Sequence, residues 1–362
     1  MQRKVRVGLI STSWFAEWNL IPNTQSHPDA KLVSICGRQL DRAQDVAKRY
    51  GIEKVYTDYK ELIQSDDLDA VIVGSPDDLH YEMVIHALSQ RKHVFCEKPM
   101  ASSVGQAQEM TSLAQKQGVV NMINFTWGWL PFYAYIKELL DGGAIGEPMY
   151  ISIGYKASHG IANQGWRFDG DRAAGILGDL GAHLIHIVHN LFGDIVSISA
   201  NLKSFSAPRQ QQIIPNNLAN TSAALLLELK SGVQGVLHVT GVTMMGRKLQ
   251  EHQIEMAGSE GTLQGLIRFD KPPKIWLTKR DQEDTQELSI PDRLWGRVDR
   301  TLPAIDQLSS FFKVMPAGPR LFIETISRGK SGEPGFTEGL RVQKVIDGAF
   351  RSHMGGVRVA LD

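Results

Sequence analysis

Two polar residues that could act on a substrate, Glu97 and Lys98, directly follow a short apolar run and precede Pro99. The run His93 to Cys96 is typical of a parallel strand covered on both faces, and Pro99 cannot continue the hydrogen-bond ladder. Lys98 is therefore expected just beyond the carboxyl end of a strand, where open α/β sheets bind ligands. A lysine held there beside a carboxylate can keep its charge and polarise a substrate hydroxyl. A surface Glu–Lys pair at the end of a strand also fits these residues.

A second candidate pair, Asp179 and His183, lies in the stretch Gly178-Asp-Leu-Gly-Ala-His183. In a helix these two residues are one turn apart on the same side, so the carboxylate can orient the imidazole as a general acid or base. His186 and His189 continue a spacing of three, which resembles a metal cluster. Steps of three rotate away from a single face and no other ligand group is evident, so we expect no metal and two neutral, hydrogen-bonded histidines.

The first third of the chain alternates β-branched apolar runs with helical patterns, the signature of βαβ units and a parallel sheet. The predicted strands are Val5 to Ile10, Lys31 to Cys36, Val55 to Tyr56, Ala70 to Gly74, His93 to Cys96 and Val119 to Ile123. The predicted helices are Asp41 to Tyr50, Tyr81 to Ser89 and Ser103 to Gln117. We therefore predict a doubly wound Rossmann domain that binds NAD(P) over residues 1–124.

After residue 124 the pattern changes to one helix, Pro131 to Asp141, and then to strands that no longer alternate with helices. The predicted strands are Met149 to Tyr155, Ile195 to Ser204, Thr221 to Lys230, Val233 to Thr240, Gln250 to Ala257 and Thr262 to Ile267. This predicts an α+β domain over 125–362 with a large, mostly antiparallel open sheet that binds substrate. One broad sheet face commonly finds cover in another subunit, so we expect a homodimer or homotetramer through this sheet. A helical apolar stripe over 337–353 predicts a C-terminal helix that packs back on the first domain.

Charge and composition exclude several classes of partner. The chain has 39 basic and 39 acidic residues and no long run of either sign, which argues against nucleic acid and against an anionic membrane surface. No secretion signal and no long apolar span is visible. Cys36 and Cys96 are typical of buried thiols in a reducing compartment. We therefore expect a cytoplasmic protein that binds a small molecule.

A nucleotide site is predicted at the turn Gly8-Leu-Ile-Ser11-Thr-Ser13-Trp14, which follows the first strand. A dinucleotide fold uses glycines there so that the backbone can approach a pyrophosphate at a helix N terminus. Ser11 and Ser13 can donate hydrogen bonds to phosphate, but their Cβ atoms restrict positive φ. A structural turn that binds no nucleotide therefore also fits.

The end of the second strand favours NADP over NAD. Positions 36 to 38 hold no acidic residue for the ribose hydroxyls of NAD. Arg38 can pair with a 2′-phosphate, and Gly37 leaves room for it. The alternative is that Arg38 stacks on adenine, which suits either cofactor.

Taken together, Glu97-Lys98-Pro99 and the Asp179 to His183 segment resemble the Gfo/Idh/MocA family of sugar oxidoreductases. The resemblance covers nearly the whole chain and includes Ser75-Pro76 with His80, Trp166-Arg167-Phe168 and the closing stretch 339–352. It implies hydride transfer between a nicotinamide cofactor and a ring carbinol or ketone of a sugar, sugar derivative or cyclitol.

The resemblance also implies roles for individual residues. Lys98 would contact the reacting hydroxyl, His183 would move its proton, and Asp179 would hold the substrate and the imidazole. The implied cofactor-binding residues are Gly8, Ser11, Ser13, Trp14, Gly37, Arg38, Ser75, Pro76, His80, Glu97 and Lys98. The implied substrate-binding residues are Lys98, Trp127, Trp166, Arg167, Asp179 and His183. By their residue types, Trp129 and His159 are further candidates for the pocket, although aromatic residues this frequent in a second domain are as often part of its core.

Three departures from the family's pattern keep other functions open. Ser11 and Ser13 stand in place of glycines, Gly128 stands where relatives often carry an arginine, and His186 replaces a common aspartate. The serines motivate a non-catalytic sensor that binds a partner in a nucleotide-dependent way. Some relatives instead are lyases or glycosidases that retain their cofactor and use it for transient oxidation, which is the other alternative.

Overall fold

The computed structural model describes residues 3–158, 165–205, 217–246, 250–329 and 332–361. Contacts between residues divide the chain into two units. The first comprises Met1–Thr126, Gly296–Arg300 and Asp306–Gln343, and the second comprises Trp127–Trp295, Thr301–Ile305 and Lys344–Asp362. Residues 306–343, predicted as part of the second domain, therefore group with the first unit.

The first unit is built on a parallel sheet. Its strands are β1 (Val5–Ile10), β2 (Ala30–Cys36), β3 (Lys54–Tyr56), β4 (Ala70–Val73), β5 (His93–Cys96) and β6 (Asn121–Ile123). Within the described residues the sheet has six strands in the order β3-β2-β1-β4-β5-β6, and all of its pairings are parallel. The chain order reverses between β1 and β4, which is the switch point where such sheets bind ligands. The predicted Rossmann sheet is confirmed.

The second unit contains the other sheet. Its strands are β7 (Pro148–Ala157), β8 (Ile195–Lys203), β9 (Ser222–Leu229), β10 (Gln234–Thr240), β11 (Gln250–Gly258), β12 (Gly261–Arg268), β13 (Lys271–Lys279), β14 (Gln286–Leu288) and β15 (Val359–Ala360). In the described part of the chain they form nine strands in the order β14-β13-β12-β11-β7-β10-β9-β8-β15. The pairing of β7 with β10 is parallel and the other pairings are antiparallel. The predicted mostly antiparallel sheet is confirmed, although β13, β14 and β15 were not predicted.

The predicted helices are present, and α1, α3, α8, α9 and α10 are helices that were not predicted. They are α1 (Ile21–Gln25), α2 (Leu40–Tyr50), α3 (Tyr59–Gln64), α4 (His80–Ser89), α5 (Val104–Gln117), α6 (Pro131–Asp141), α7 (Ala182–Phe192), α8 (Asp292–Trp295), α9 (Ala304–Val314), α10 (Pro319–Arg328) and α11 (Phe336–Gly355). The expected terminators Gly51 and Gly118 have φ of 65° and 63°, a left-handed conformation that glycine adopts without strain. Among the described residues, no helix is both long enough and apolar enough to cross a membrane.

The first residues of α11 belong to the first unit. The backbone N–H of Phe336 donates to Asn121 Oδ1 at 2.8 Å, and the Phe336 carbonyl accepts from Thr111 Oγ1 at 3.2 Å. The helix thereby bonds the first residue of β6 and the buried face of α5. Residues from Lys344 onward group with the second unit.

The second sheet has one covered and one open face. Along β9, Leu225 and Leu227 are buried, whereas Leu226 between them is 60% exposed. Such alternation is typical of an antiparallel sheet with one solvated face. Leu225 pairs with Leu237 and Leu237 pairs with Ile153, so the buried Tyr155, two residues further along β7, lies on the covered face.

Hydrogen bonds from Asn220 hold residues 174–177, the segment before α7, and we call this arrangement the Asn220 clamp. Gly175 has φ +65, and a Cβ at this position would lie 2.5 Å from the Asn220 carbonyl oxygen. Asn220 donates from Nδ2 to the Ala174 carbonyl at 2.7 Å and accepts at Oδ1 from the Leu177 N–H at 3.0 Å. Its own carbonyl accepts from the Ile176 N–H at 2.8 Å. Asn220, which is 5% exposed, therefore fixes the start of the helical segment that leads into α7.

We expect Asn220→Ala to lower the free energy of unfolding by about 1–3 kcal/mol, because it leaves the buried Leu177 N–H and the half-buried Ala174 carbonyl without their partner. Urea titration of the full chain measures this change. Asn217→Ala is the matched control, because Asn217 bonds Asp171 at an exposed site. An Asn220→Ala protein as stable as the control variant would contradict the clamp.

Candidate active site

The turn after β1 is built by hydrogen bonds from its two serines. Ser11 Oγ donates to Ser13 Oγ at 3.0 Å, and the Ser13 N–H donates back to Ser11 Oγ at 3.3 Å. The Ala16 N–H donates to Ser13 Oγ at 3.2 Å, so Ser13 caps the helical segment that begins at Trp14. Among the described residues, Arg91 is the one non-glycine residue with positive φ. The serines therefore form this turn without the left-handed backbone that would strain them.

The surroundings of the turn fit the pyrophosphate of a dinucleotide. A Cβ at Gly74 would lie 3.2 Å from Ser11 Cβ, and a Cβ at Gly37 would lie 2.5 Å from Thr12 Cγ2. The ends of β2 and β4 thus approach the turn closely. Ser13 is exposed, and its oxygen already accepts from two donors, so its own proton is available to a phosphate oxygen.

The other residues predicted to bind the cofactor near the turn after β1 differ in exposure. Arg38 is exposed beyond β2, whereas Arg42 is held by the Thr12 carbonyl at 2.7 Å. Trp14 is 66% exposed and packs edge-on against Phe15 at 5.8 Å. Gly8 is buried, and a Cβ there would lie 2.7 Å from a Leu62 methyl, so this glycine serves the packing of the sheet.

Glu97 and Lys98 stand at the carboxyl end of β5, as predicted. Glu97 is 9% exposed; its N–H donates to the Val73 carbonyl at 2.9 Å, and its Oε1 accepts from Asn124 Nδ2 at 2.5 Å. A surface Glu–Lys pair is therefore the wrong interpretation, because the carboxylate is buried against a neighbouring strand end. Lys98 is half-buried at the edge of the first unit's sheet.

Ser75, Pro76 and His80 follow β4 on the same edge. Ser75 and Pro76 are half-buried, whereas His80 is completely buried. Both ring nitrogens of His80 lie 2.9 Å from backbone carbonyl oxygens, those of Pro99 and Ser75. His80 is thus bonded within the protein at the site where a cofactor contact was predicted.

Asp179 and His183 lie in the second unit, on adjoining helical segments. Asp179 belongs to a π-helical turn, Leu177–Gly181, and His183 lies in the first turn of α7. The wider π turn keeps residues four apart on nearly the same side, and single π turns recur at functional sites. His183 is 5% exposed. The predicted Asp–His pair is therefore carried by one continuous helical segment.

The predicted substrate residues of the second unit surround this pair. Arg167 Nε lies 3.6 Å from Asp179 Oδ1, and the guanidinium lies 4.4 Å from the ring centroid of Trp166. The rings of Trp127 and His183 have their centroids 5.9 Å apart. These contacts join Trp166, Arg167 and Asp179 in one group and Trp127 and His183 in another, and the helical segment that carries Asp179 and His183 connects the two groups. Lys98 belongs to the first unit. His159 lies outside the described residues.

The three histidines of α7 contact three different parts of the second unit. His183 faces Trp127, and His189 Nδ1 lies 3.2 Å from the Gly193 carbonyl. His186 fills the space beside Gly128, where a Cβ would lie 2.8 Å from its Cε1. Within the described ranges, no group of three or more His, Cys, Asp or Glu side chains could hold a metal ion.

A buried layer of aromatic residues that was not predicted lies beside Trp127. Tyr155 on β7 and His252 on β11 are register partners with ring centroids 3.9 Å apart. His252 Nδ1 lies 3.1 Å from Tyr133 Oη, and Tyr155 Oη donates to Gln250 Oε1. The His252 ring meets Trp127 edge-on at 5.4 Å. Every second residue in the C-terminal part of β7 is buried, and this alternation could have indicated that Tyr155 is buried. No local sequence pattern indicates that His252 is buried.

Burial keeps this layer neutral. It lowers the pKa of His252 to about 3. Burial, and secondly the carboxylate of Asp179, raise the pKa of Tyr155 well above its usual range. Neutral rings therefore support Trp127, while Asp179 and Arg167 carry the charges at the site.

Both parts of the chain match known families. Residues 5–125 match the model described as an oxidoreductase family with an NAD-binding Rossmann fold, and residues 133–264 match the GFO/IDH/MocA C-terminal domain. A dTDP-3,4-didehydro-2,6-dideoxy-alpha-D-glucose 3-reductase of Actinomadura kijaniata is 30% identical over 350 residues, which are 95% of this chain and 94% of the relative. A scyllo-inositol 2-dehydrogenase (NAD(+)) of Bacillus subtilis is 27% identical over 264 residues, which are 73% of this chain and 74% of the relative.

The fold also matches that of solved structures. A levoglucosan dehydrogenase in complex with NADH and levoglucosan superposes with a TM-score of 0.87 at 22% identity, covering 99% of this chain and 100% of that one. This likeness shows that the two chains share a fold.

The buried neutral His252 predicts a loss of stability in acid. Its pKa is about 3 in the folded protein against an ordinary value of 6.5, so the unfolded chain takes up a proton at higher pH. This group leaves the free energy of unfolding unchanged above about pH 6.5 and lowers it progressively as the pH falls toward 3, by about 2 kcal/mol at pH 5. Urea titrations at about pH 7 and pH 5 measure the decline, which His252→Phe should reduce. The exposed His353→Gln should retain it; an undiminished decline in His252→Phe would count against the assignment.

The contact between Gly128 and His186 predicts a coupled pair. We expect Gly128→Ala to destabilise the chain by about 1–3 kcal/mol, because the new methyl group overlaps the imidazole. The cost should largely disappear when His186→Ala is also present, giving a coupling energy of about 1 kcal/mol or more in a double-mutant cycle. Gly165→Ala is the control, because a Cβ there meets no atom within 4 Å. Additive effects of the two substitutions would refute the coupling.

Proposed function

Because the chain belongs to the Gfo/Idh/MocA oxidoreductase family, we propose that it transfers a hydride between a nicotinamide cofactor and a ring carbinol or ketone of a sugar, sugar derivative or cyclitol. The observation that carries the proposal is the pair Asp179 and His183, held beside Trp127 and Arg167 in the second unit. The names of the relatives reported above, a sugar reductase and an inositol dehydrogenase, support a polyhydroxylated substrate.

The reaction requires that a carbinol lose a hydride from carbon and a proton from oxygen. A bound nicotinamide supplies the acceptor or donor of the hydride. We assign the proton to His183, which takes it during oxidation and returns it during reduction. Lys98 places a positive charge beside the same oxygen and stabilises the negative charge that develops there. In this proposal both residues act on the oxygen of one carbinol carbon of the substrate.

The charged and aromatic groups of the second unit would bind the substrate. The carboxylate of Asp179 can accept hydrogen bonds from ring hydroxyls. Arg167, whose side chain is 43% exposed, can donate to hydroxyls while it stays stacked on Trp166. Trp127 is only 8% exposed, so we assign it to the placement of His183.

The cofactor is proposed to be NADP rather than NAD. Ser11 and Ser13 would hold the pyrophosphate, with Trp14 at the mouth of the turn. The exposed guanidinium of Arg38 would pair with the 2′-phosphate. Gly37, Ser75 and Pro76 would line the nucleotide at the ends of β2 and β4, and Glu97 would act through its bond to Asn124.

We also propose that the open face of the second sheet is covered by a second copy of the chain, as a homodimer or homotetramer. Leu226, which is 60% exposed, is a large apolar side chain on this face, between the buried Leu225 and Leu227. A sheet face of this kind is typical of subunit contacts. Sedimentation velocity would show a monomer if the proposal is wrong.

The catalytic assignment predicts that His183→Asn and Lys98→Met each lower kcat by about 10²- to 10⁴-fold and leave NADPH binding close to that of the wild type. The measurement is steady-state turnover of a sugar or polyol identified in a screen with NADP⁺ and NADPH. Lys92→Met and His189→Asn are matched controls; Lys92 bonds Leu68 at the opposite end of β5, and His189 lies later in α7. Unchanged turnover in both site variants would refute the assignment.

The cofactor assignment predicts that Arg38→Asp weakens NADPH binding by about tenfold or more while NADH binding changes little, because a charge-assisted bond to the 2′-phosphate is lost. Titration followed by nicotinamide fluorescence measures both affinities. Lys48→Asp reverses an exposed charge further along α2 and should leave both unchanged. Equal losses for NADPH and NADH in Arg38→Asp would argue for adenine stacking instead.

A further inference from the structure

His80 connects the ends of two neighbouring strands in the first unit. Its ring is 0% exposed, with Nδ1 2.9 Å from the Pro99 carbonyl oxygen and Nε2 2.9 Å from the Ser75 carbonyl oxygen. Ser75 follows β4 and Pro99 follows β5, and these strands are adjacent and parallel. The imidazole therefore bridges the two segments that leave the sheet at its ligand-binding edge.

The ring has more acceptors around it than it can satisfy when neutral. Carbonyl oxygens only accept hydrogen bonds, and a neutral imidazole has one N–H. Burial lowers the pKa of His80, while its bonds to Pro99 and Ser75 oppose this shift. The nearby charges are Lys98, which also lowers the pKa, and Asp78, which raises it. Each ring nitrogen lies within hydrogen-bond distance of one of the two segments, and an N–H on either nitrogen donates to the carbonyl that it faces.

The contact with Pro99 completes the restraint on the backbone around Lys98. On the amino side, the Glu97 N–H donates to Val73 and the Glu97 carboxylate accepts from Asn124. On the carboxyl side, the Pro99 carbonyl faces His80. The lysine side chain is long and has several rotatable bonds, so its position depends on how firmly this backbone is held.

We propose that His80 is a positioning residue that holds Lys98 and the Ser75 segment in register with each other. The proposal takes its catalytic meaning from the proposed function, in which Lys98 contacts the reacting oxygen and Ser75 lines the cofactor. His80 itself touches neither substrate nor cofactor. Loss of its ring should therefore affect two properties together, the rate of turnover through Lys98 and the affinity for NADPH through Ser75.

A double-mutant cycle with Lys98 tests this role. We expect His80→Leu to lower kcat by about tenfold or more, since a small displacement of a catalytic group is costly, and to weaken NADPH binding by about threefold or more. In the Lys98→Met background, His80→Leu should lower kcat little further, because it acts through the missing lysine, yet it should still weaken NADPH binding. His80→Gln, which keeps a hydrogen-bond donor in its NH2 group, should recover part of both losses. If the losses in kcat multiply in the double variant, His80 does not act through Lys98.

A spectroscopic measurement tests the same claim without any turnover. Reductive methylation with ¹³C-formaldehyde labels the lysines, and the Lys98 signal is the one absent in Lys98→Arg. We expect this signal to shift in His80→Leu and to stay in place in His93→Gln. His93 is the matched control because it bonds the Val120 N–H at the opposite end of β5. An unmoved Lys98 signal in folded His80→Leu would overturn the proposal, whereas an absence of turnover in the wild type would count against the proposed function alone.

Discussion

Hydrogen bonds to the two neighbours of Lys98, Glu97 and Pro99, are the constraint on which the first unit's part of the site depends. Glu97 is tied to Val73 and to Asn124, and Pro99 is tied to His80. These bonds satisfy polar groups that would otherwise be buried without partners at the end of β5. They also limit the places that a flexible lysine can reach, so the packing of the sheet edge determines where its charge lies.

In the second unit a different set of contacts holds the candidate catalytic residues in place. Asn220 fixes the start of the segment that carries Asp179, and a π turn then leads into α7 and His183. Beside Trp127 lies a layer of neutral rings that includes His252. In both units a buried, neutral histidine supports the site, while the charged groups remain at its edge. Burial makes this division possible because it disfavours the charged form of an imidazole.

The sequence predicts the elements well where the signals are local. The helix Pro131–Asp141 begins at a proline and ends before Gly142, and both boundaries were predicted. Strand β13 was not predicted, because Lys271-Pro-Pro-Lys274 hides its pattern, and α10 was missed although Gly318 and Gly329 flank it. The residues of the candidate site likewise fall into those that a local sequence pattern indicates and those that it does not.

Motif residues such as Lys98 and Asp179 are visible in the sequence, because each stands in a short stretch of distinctive residues. Supporting contacts are not visible in this way. Tyr133 bonds His252 from 119 residues away, and Asn220 holds a segment more than 40 residues earlier in the chain. For Ser11 and Ser13 the residue type indicates a restriction of φ, whereas in the structure their hydroxyl groups build the turn after β1 by hydrogen bonds and capping.

The central claim is that Lys98 and His183 act on the same oxygen of the substrate. A crystal structure of the protein with NADP⁺ and the best polyol from a substrate screen tests it most directly. We predict that Lys98 Nζ and a ring nitrogen of His183 both lie within about 3.2 Å of one hydroxyl oxygen. If the two residues bond different groups of the bound polyol, the account of the site is contradicted.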